Sequence, residues 1–122
     1  MGNSTGNILV ILVVIILVFA GVSGCGPRKD YAEFAKCLSA ANMSMYGASW
    51  CPHCKAVKSD FGLAFRFINY TECDENTIGA EPEKCAAANI EYLPTFIFAD
   101  GGRLFGEVSF SILSEKTKCA LP

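Results

Sequence analysis

Every charged side chain of this 122-residue chain lies after Pro27. Ahead of that point, Ile8 to Val22 form an unbroken apolar run, ILVILVVIILVFAGV, with uncharged flanks from Ser4 to Gly26. No other feature constrains folding as strongly. A terminal run without a polar face cannot make the one-sided apolar stripe by which a surface helix packs on a core. Its 15 residues span roughly 22 Å as a helix at ~1.5 Å each, and the flanks extend it toward the ~30 Å of a hydrocarbon layer. The expectation is an N-terminal membrane helix within residues 1–27, with residues 28–122 left to fold as one domain.

The same run also fits the apolar core of a signal peptide. VSGC, Val22 to Cys25, resembles a bacterial lipobox, which would make Cys25 a lipidated first residue. Against cleavage, no Lys or Arg precedes the run. An uncleaved anchor is the expectation, and either route tethers the domain to a membrane.

The net charge of −2 belongs wholly to the remainder of the chain. Nucleic-acid binding needs a clustered basic face, and none is visible. The chain's 7 cysteines are Cys25, Cys37, Cys51, Cys54, Cys73, Cys85 and Cys119. Cys25 stands beside the apolar run. The others are even in number, as a disulfide framework requires, and their density suits an oxidising space. Metal binding in a reducing space is the competing explanation. Arg28 and Lys29 argue for a cytoplasmic domain by the positive-inside rule. Two charges weigh less than the cysteines, so the domain is expected on the extracytoplasmic side.

Within the domain, GPRKD reads as a linker. Asp30 can cap a helix over 30–42, where Tyr31, Phe34, Ala35 and Leu38 recur at helical spacing. MSMYGAS reads as a short strand. Pro52 suits a first helical turn, so CPHCKAVKSDFGLAF reads as a helix that starts at the cysteines. RFINYTEC alternates as a strand, with Phe67, Asn69 and Thr71 on one side and Ile68 and Tyr70 on the other. EPEKCAAANI is a short helix. PTFIFAD and RLFGEV flank Gly101-Gly102 as a hairpin. Ser109 can cap a last helix that aligns Phe110, Leu113 and Thr117. The order α-β-α-β-α-β-β-α implies a mixed sheet covered by helices on both faces.

Cys51 and Cys54 enclose Pro52 and the only histidine, His53, next to the only tryptophan, Trp50. Only a thiolate attacks a disulfide. At a helix start Cys51 would meet unpaired backbone N–H groups and the positive end of the dipole. His53 can add donor or cationic character. Both stabilise a thiolate on Cys51 and make the disulfide a better oxidant. Cys54 follows one turn later, placed to close or resolve a disulfide. A zinc half-site is the bland reading of the pair, a surface histidine that of His53, rim packing that of Trp50, and a trans turn that of Pro94. Lys55 and Lys58 read as solvated charges.

From Asp30 to about Cys119 the chain resembles the thioredoxin superfamily. WCPHC between a strand and a helix, LPT (Leu93 to Thr95) opening the next-to-last strand, and ADGGRLFGEV at the hairpin carry the resemblance. It implies a thioredoxin-like three-layer α/β sandwich, a cis Pro94 facing the active site, Cys51 and Cys54 as the redox pair, and no cofactor. MYGASWCPHC, INYTECDEN and PEKCAAANIEYLPT resemble more closely the thioredoxin-like domains associated with bacterial and archaeal vitamin K epoxide reductase homologues. That likeness implies a separate membrane redox partner of that type, beside protein thiol and disulfide substrates. Two departures from thioredoxins proper stand out: MSMY carries no buried acid before the active site, and Pro-His replaces Gly-Pro between the cysteines.

Cys73 and Cys85 would close the loop DENTIGAEPE as a structural disulfide, with a second redox relay as the alternative. Cys37 and Cys119 are left either paired or free. The expected function is a membrane-tethered thiol–disulfide oxidoreductase. A thiol-based metal-binding module and a redox-inert adaptor are the alternatives from other classes.

Overall fold

The computed structural model describes Asn7, Ile8, Val10 and Ile11, and residues 29–122. Most of the expected anchor, and Cys25, lie outside the described residues. Among the described residues no helix is long and apolar enough to cross a membrane.

The elements are α1 (Ala32–Ala40), β1 (Ser44–Gly47), α2 (Pro52–Phe61), a 3-10 helix (Gly62–Phe67), β2 (Asn69–Glu72), α3 (Pro82–Ala87), β3 (Thr95–Ile97), β4 (Arg103–Phe105) and α4 (Phe110–Thr117). The strands form one mixed sheet in the order β2-β1-β3-β4. β1 runs parallel to β2 and antiparallel to β3, and β3 pairs with β4 antiparallel. Parallel strands need a crossover, and α2 with the 3-10 helix supplies it. The sheet places β1 at its centre, so the turn leaving β1 sits over the middle of the molecule.

One core joins the sheet to three of the helices. Phe34, Leu38, Met43, Met45, Val57, Phe61, Phe96 and Leu113 are buried together. Phe61 is the aromatic junction: its ring centroid lies 4.4 Å from that of Phe110 and 6.3 Å from those of Phe34 and Phe65. α1 starts as the sequence implies, with the Asp30 carboxylate accepting the Ala32 N–H at 2.9 Å. Ser109 stands at the start of α4, but its hydroxyl pairs with that of Ser111 and does not cap the helix.

Three boundaries differ from the sequence expectation. α2 stops at Phe61, not Phe65, because Gly62 takes φ +55 and ends the helical path. The 3-10 segment that follows uses up Arg66 and Phe67, so β2 begins only at Asn69. α3 stops at Ala87, and Asn89 at φ +50 turns the chain out toward Ile90. At the hairpin, Gly101 has φ +77, and Asp100 accepts from the Gly102 N–H at 2.8 Å and from Lys116 Nζ at 3.0 Å, tying the tip to α4.

Cys37 and Cys119, left open by the sequence, form a disulfide across 82 residues, and Cys73 is bonded to Cys85 across 12. The first links α1 to the tail after α4, and the second links the end of β2 to α3. If cross-links act mainly by restricting the unfolded chain, the longer loop stabilises more. Replacing both cysteines by Ala should lower the unfolding free energy by about 4.5 kcal/mol for Cys37/Cys119 and about 3 kcal/mol for Cys73/Cys85, read by urea denaturation.

Candidate active site

The turn between β1 and α2 carries the two remaining thiols, Cys51 and Cys54. Cys51 is the N-cap of α2, in extended conformation, and Pro52 occupies the first helical position, where its missing N–H costs nothing. The free N–H of Cys54 therefore points back, and the Cys51 sulfur accepts it at 3.3 Å. The sulfur is only slightly exposed, at 3% for the residue, and lies 3.8 Å from the Leu93 carbonyl oxygen. Leu93 and Pro94 are joined by a cis peptide bond, and Pro94 is buried beside the pair. Cys54 is fully buried. Burial and the hydrogen bond to Cys51 push the Cys54 thiol up to about 12.

Trp50, Cys51, Pro52 and His53 form one wall of a cleft of about 440 Å³, with Ile90, Tyr92, Leu93 and the Cys73–Cys85 disulfide opposite. Trp50 and Tyr92 are exposed at its rim, and Tyr92 packs edge-on against Phe105 of the hairpin at 5.6 Å. A larger hollow of about 850 Å³ lies by Lys29, Asp60 and Arg66, and no cysteine lines it. His53 is exposed, with its Nδ1 2.6 Å from Glu107 Oε1 after β4. Among the described residues, no three metal-ligating side chains converge.

β1 carries no acid, as MSMY implied, but its parallel neighbour does: Gly47 is in register with Glu72. Glu72 is 9% exposed. Its Oε1 accepts the Ser49 N–H and the Asp74 N–H, each at 3.0 Å, and its Oε2 accepts the Tyr70 hydroxyl at 2.8 Å. Lys58 is also not a plain solvated charge. Its ammonium lies 3.9 Å from Glu72 Oε2 and 4.0 Å from the centre of the Tyr70 ring. Ser49 fastens the turn a second time, donating to Asp74 at 2.8 Å; that bond and those from Asn76 hold Asp74 below the usual carboxylate range. The signal in the sequence was the alternation of INYTEC, which places Glu72 on the same side as Tyr70. Glu107 left no sequence signal, since it meets His53 only through the hairpin.

A dithiol at a helix N-terminus, over a cis-proline strand of a mixed sheet, defines a thioredoxin-like site. The Thioredoxin family profile matches residues 28–118, and the chain belongs to the thioredoxin family. It is 42% identical over 91 residues to thiol-disulfide oxidoreductase LTO1 of Arabidopsis thaliana, covering 71% of this chain and 24% of that protein. The chain thus spans about a quarter of that relative's length. The crystal structure of oxidized mitochondrial thioredoxin 3 from Saccharomyces cerevisiae is 20% identical at a TM-score of 0.42, covering 75% of this chain and 91% of that one.

The two sulfurs should differ in reactivity, because Cys51 borders the cleft while Cys54 is buried with its thiol pushed up. Iodoacetamide at neutral pH is expected to label Cys51 and spare Cys54, which labels only as the pH nears 12. Mapping of the alkylated peptides reads this, and equal labelling at neutral pH would contradict it. The linked stability has a definite sign. The folded thiol keeps its proton above the ordinary 9.0, whereas the unfolded one loses it first. The reduced protein should therefore lose stability as pH climbs from 9.0 toward 12.

Proposed function

We propose that this chain is a membrane-tethered thiol–disulfide oxidoreductase whose domain works outside the cytoplasm. Cys51 is the sulfur that attacks or is attacked, and Cys54 resolves the mixed disulfide. The observation that carries the reading is the Cys51 sulfur itself. It caps α2, accepts the Cys54 N–H, and opens beside the Leu93 carbonyl onto a cleft. A substrate chain lying in that cleft can bond its backbone at Leu93 while its own sulfur meets Cys51. Trp50, His53 and Pro94 shape the contact, and Cys73–Cys85 stiffens the far wall as a structural disulfide. Exchange between sulfurs needs no cofactor.

The placement draws on other support. The run Ile8–Val22 is apolar enough for a membrane, and the domain cysteines suit a space where disulfides persist. GCGPRKD is too short to let the domain drift far. The partners that fit are cysteine pairs of exported proteins and an integral-membrane reductase of the vitamin K epoxide reductase type. The motifs MYGASWCPHC and PEKCAAANIEYLPT favour the latter.

Pro-His between the cysteines favours an oxidant. The buried Glu72 removes one of the arguments for that direction and leaves His53 as the residue to test. Titrated against glutathione, the reduction potential should lie above the roughly −270 mV of thioredoxin, and His53→Ala should lower it. A potential at or below thioredoxin's would sink the oxidant reading. In cells, Cys54→Ala should trap the partner as a mixed disulfide on Cys51, and protease added to intact spheroplasts should digest the domain. Protection until lysis would invert the topology and remove the extracytoplasmic reading.

A further inference from the structure

We propose that the domain docks on the bilayer through the face formed by the start of α1 and the 3-10 helix, with Leu63 inserted among the lipid headgroups and the Cys51 cleft held clear of the lipid. This rests on the membrane tether proposed above. The apolar run ends at Val22, and Lys29 follows seven positions later. Fully extended, that stretch reaches roughly 25 Å. With a lipid on Cys25 instead, four positions remain before Lys29, and the reach falls to roughly 14 Å. A domain of this size is about 30 Å across. By either route the tether is too short for Lys29 to stand on the side remote from the membrane.

The tether arrives at a shaped surface. Lys29 and Tyr31 line the hollow of about 850 Å³ together with Phe61, Leu63, Arg66 and Phe67. Leu63 is 86% exposed, just past the point where Gly62 ends α2, while its neighbour Ala64 is buried. A single exposed leucine needs no explanation by itself. This one stands on the rim of the hollow into which the tether leads. The polar groups around it suit a headgroup layer. The Lys36 ammonium lies 4.8 Å and the Arg66 guanidinium 4.7 Å from the centre of the Phe67 ring. Each cation covers apolar surface with its stem and keeps its charge outside, as long basic side chains do at membrane interfaces. The acids on this face are Asp30, Glu33 and Asp60. Asp30 is engaged by the Ala32 N–H and Glu33 by Lys36 at 2.7 Å. Lys29 and Arg66 have no carboxylate partner among the described residues, which leaves them for lipid phosphates.

α2 sets the orientation that follows. It runs from the cleft to the hollow, since Cys51 caps its start and Phe61 ends it. Its 10 residues rise about 15 Å. With Leu63 at the lipid, the Cys51 sulfur is carried off the bilayer by that rise. Ile78 is more exposed still, at 103%, but belongs to the loop that Asp74 and Thr77 tie to Ser49, at the cleft end of the fold. The two aliphatic side chains thus mark opposite ends of α2, and only Leu63 shares its hollow with the residue that the tether reaches. A cleft so placed meets cysteine pairs that project from the membrane surface or move free of it. It does not meet sulfurs at the depth of the headgroups.

Trp50 is the only tryptophan, so its emission reads the height of the cleft without any substitution. The full chain is reconstituted in vesicles of phosphatidylcholine and phosphatidylglycerol brominated high on the acyl chains, where bromine quenches nearby indoles. Trp50 should keep its emission. In a Trp50→Phe background, Leu63→Trp should lose most of its emission and shift to the blue, and Ile78→Trp should do neither. Both positions are exposed, so neither substitution disturbs the core. Quenching of Trp50 as strong as that of Leu63→Trp overturns the proposal. So does Leu63→Trp emission no lower than that of Ile78→Trp. A blue shift at Leu63→Trp without quenching means that a protein surface covers this face instead of lipid, and overturns the proposal too. A full chain that fails to float with the vesicles on a density gradient overturns the membrane tether as well. A chain that floats while Trp50 and Leu63→Trp stay equally bright overturns the docking face alone.

Discussion

Parallel pairing of β1 with β2 dictates where the chemistry can sit. Two parallel strands cannot be joined by a tight turn, so the chain must leave the carboxyl end of β1 and return through a helix. The start of that helix falls beside the strand end, and here it falls on Cys51. The same pairing aligns Gly47 with Glu72 and lets the Cys73 N–H bond the Gly47 carbonyl at 2.8 Å. One backbone register thus brings the cysteine-bearing turn, the buried carboxylate and the edge of a disulfide to one end of the sheet.

The antiparallel pairing on the other side of β1 completes the arrangement. β3 lies against β1 with Tyr46 opposite Thr95, and Pro94 immediately precedes that register. Leu93 is therefore brought to the Cys51 sulfur by sheet geometry, not by any local preference of the turn. The hairpin then carries Glu107 round to His53. Both strands neighbouring β1 contribute to the surroundings of a pair that is local in sequence.

Polar groups are unevenly distributed around the two sulfurs. Cys51 borders the cleft, beside the exposed His53–Glu107 pair. Cys54 sits inside; across Gly47 lies the Tyr70 hydroxyl, which donates to a carboxylate also held by Lys58 and two N–H groups. A buried charge without such partners would be costly. Here the Ser49 N–H that satisfies Glu72 belongs to the cysteine-bearing turn itself, so satisfying the acid also positions the turn.

Element order, the helix beginning at the cysteines, the Gly101 hairpin and the likeness to thioredoxins were all legible in the residues, because each is local: Pro52 marks a helix start, glycine marks a turn, and apolar spacing marks a face. Helix ends were less legible, since Gly62 and Asn89 acted through left-handed backbone angles that the apolar pattern does not encode. The pairing of Cys37 with Cys119, the carboxylate behind Cys54 and the Glu107 contact to His53 were decided only by the tertiary structure. Each joins residues on separate elements, and strand register and helix packing bring those elements together. The sequence by itself therefore determined where the helix-start cysteine pair lies and the class of fold that presents it. The folded chain decided which acid, which hydroxyl and which carbonyl surround that pair.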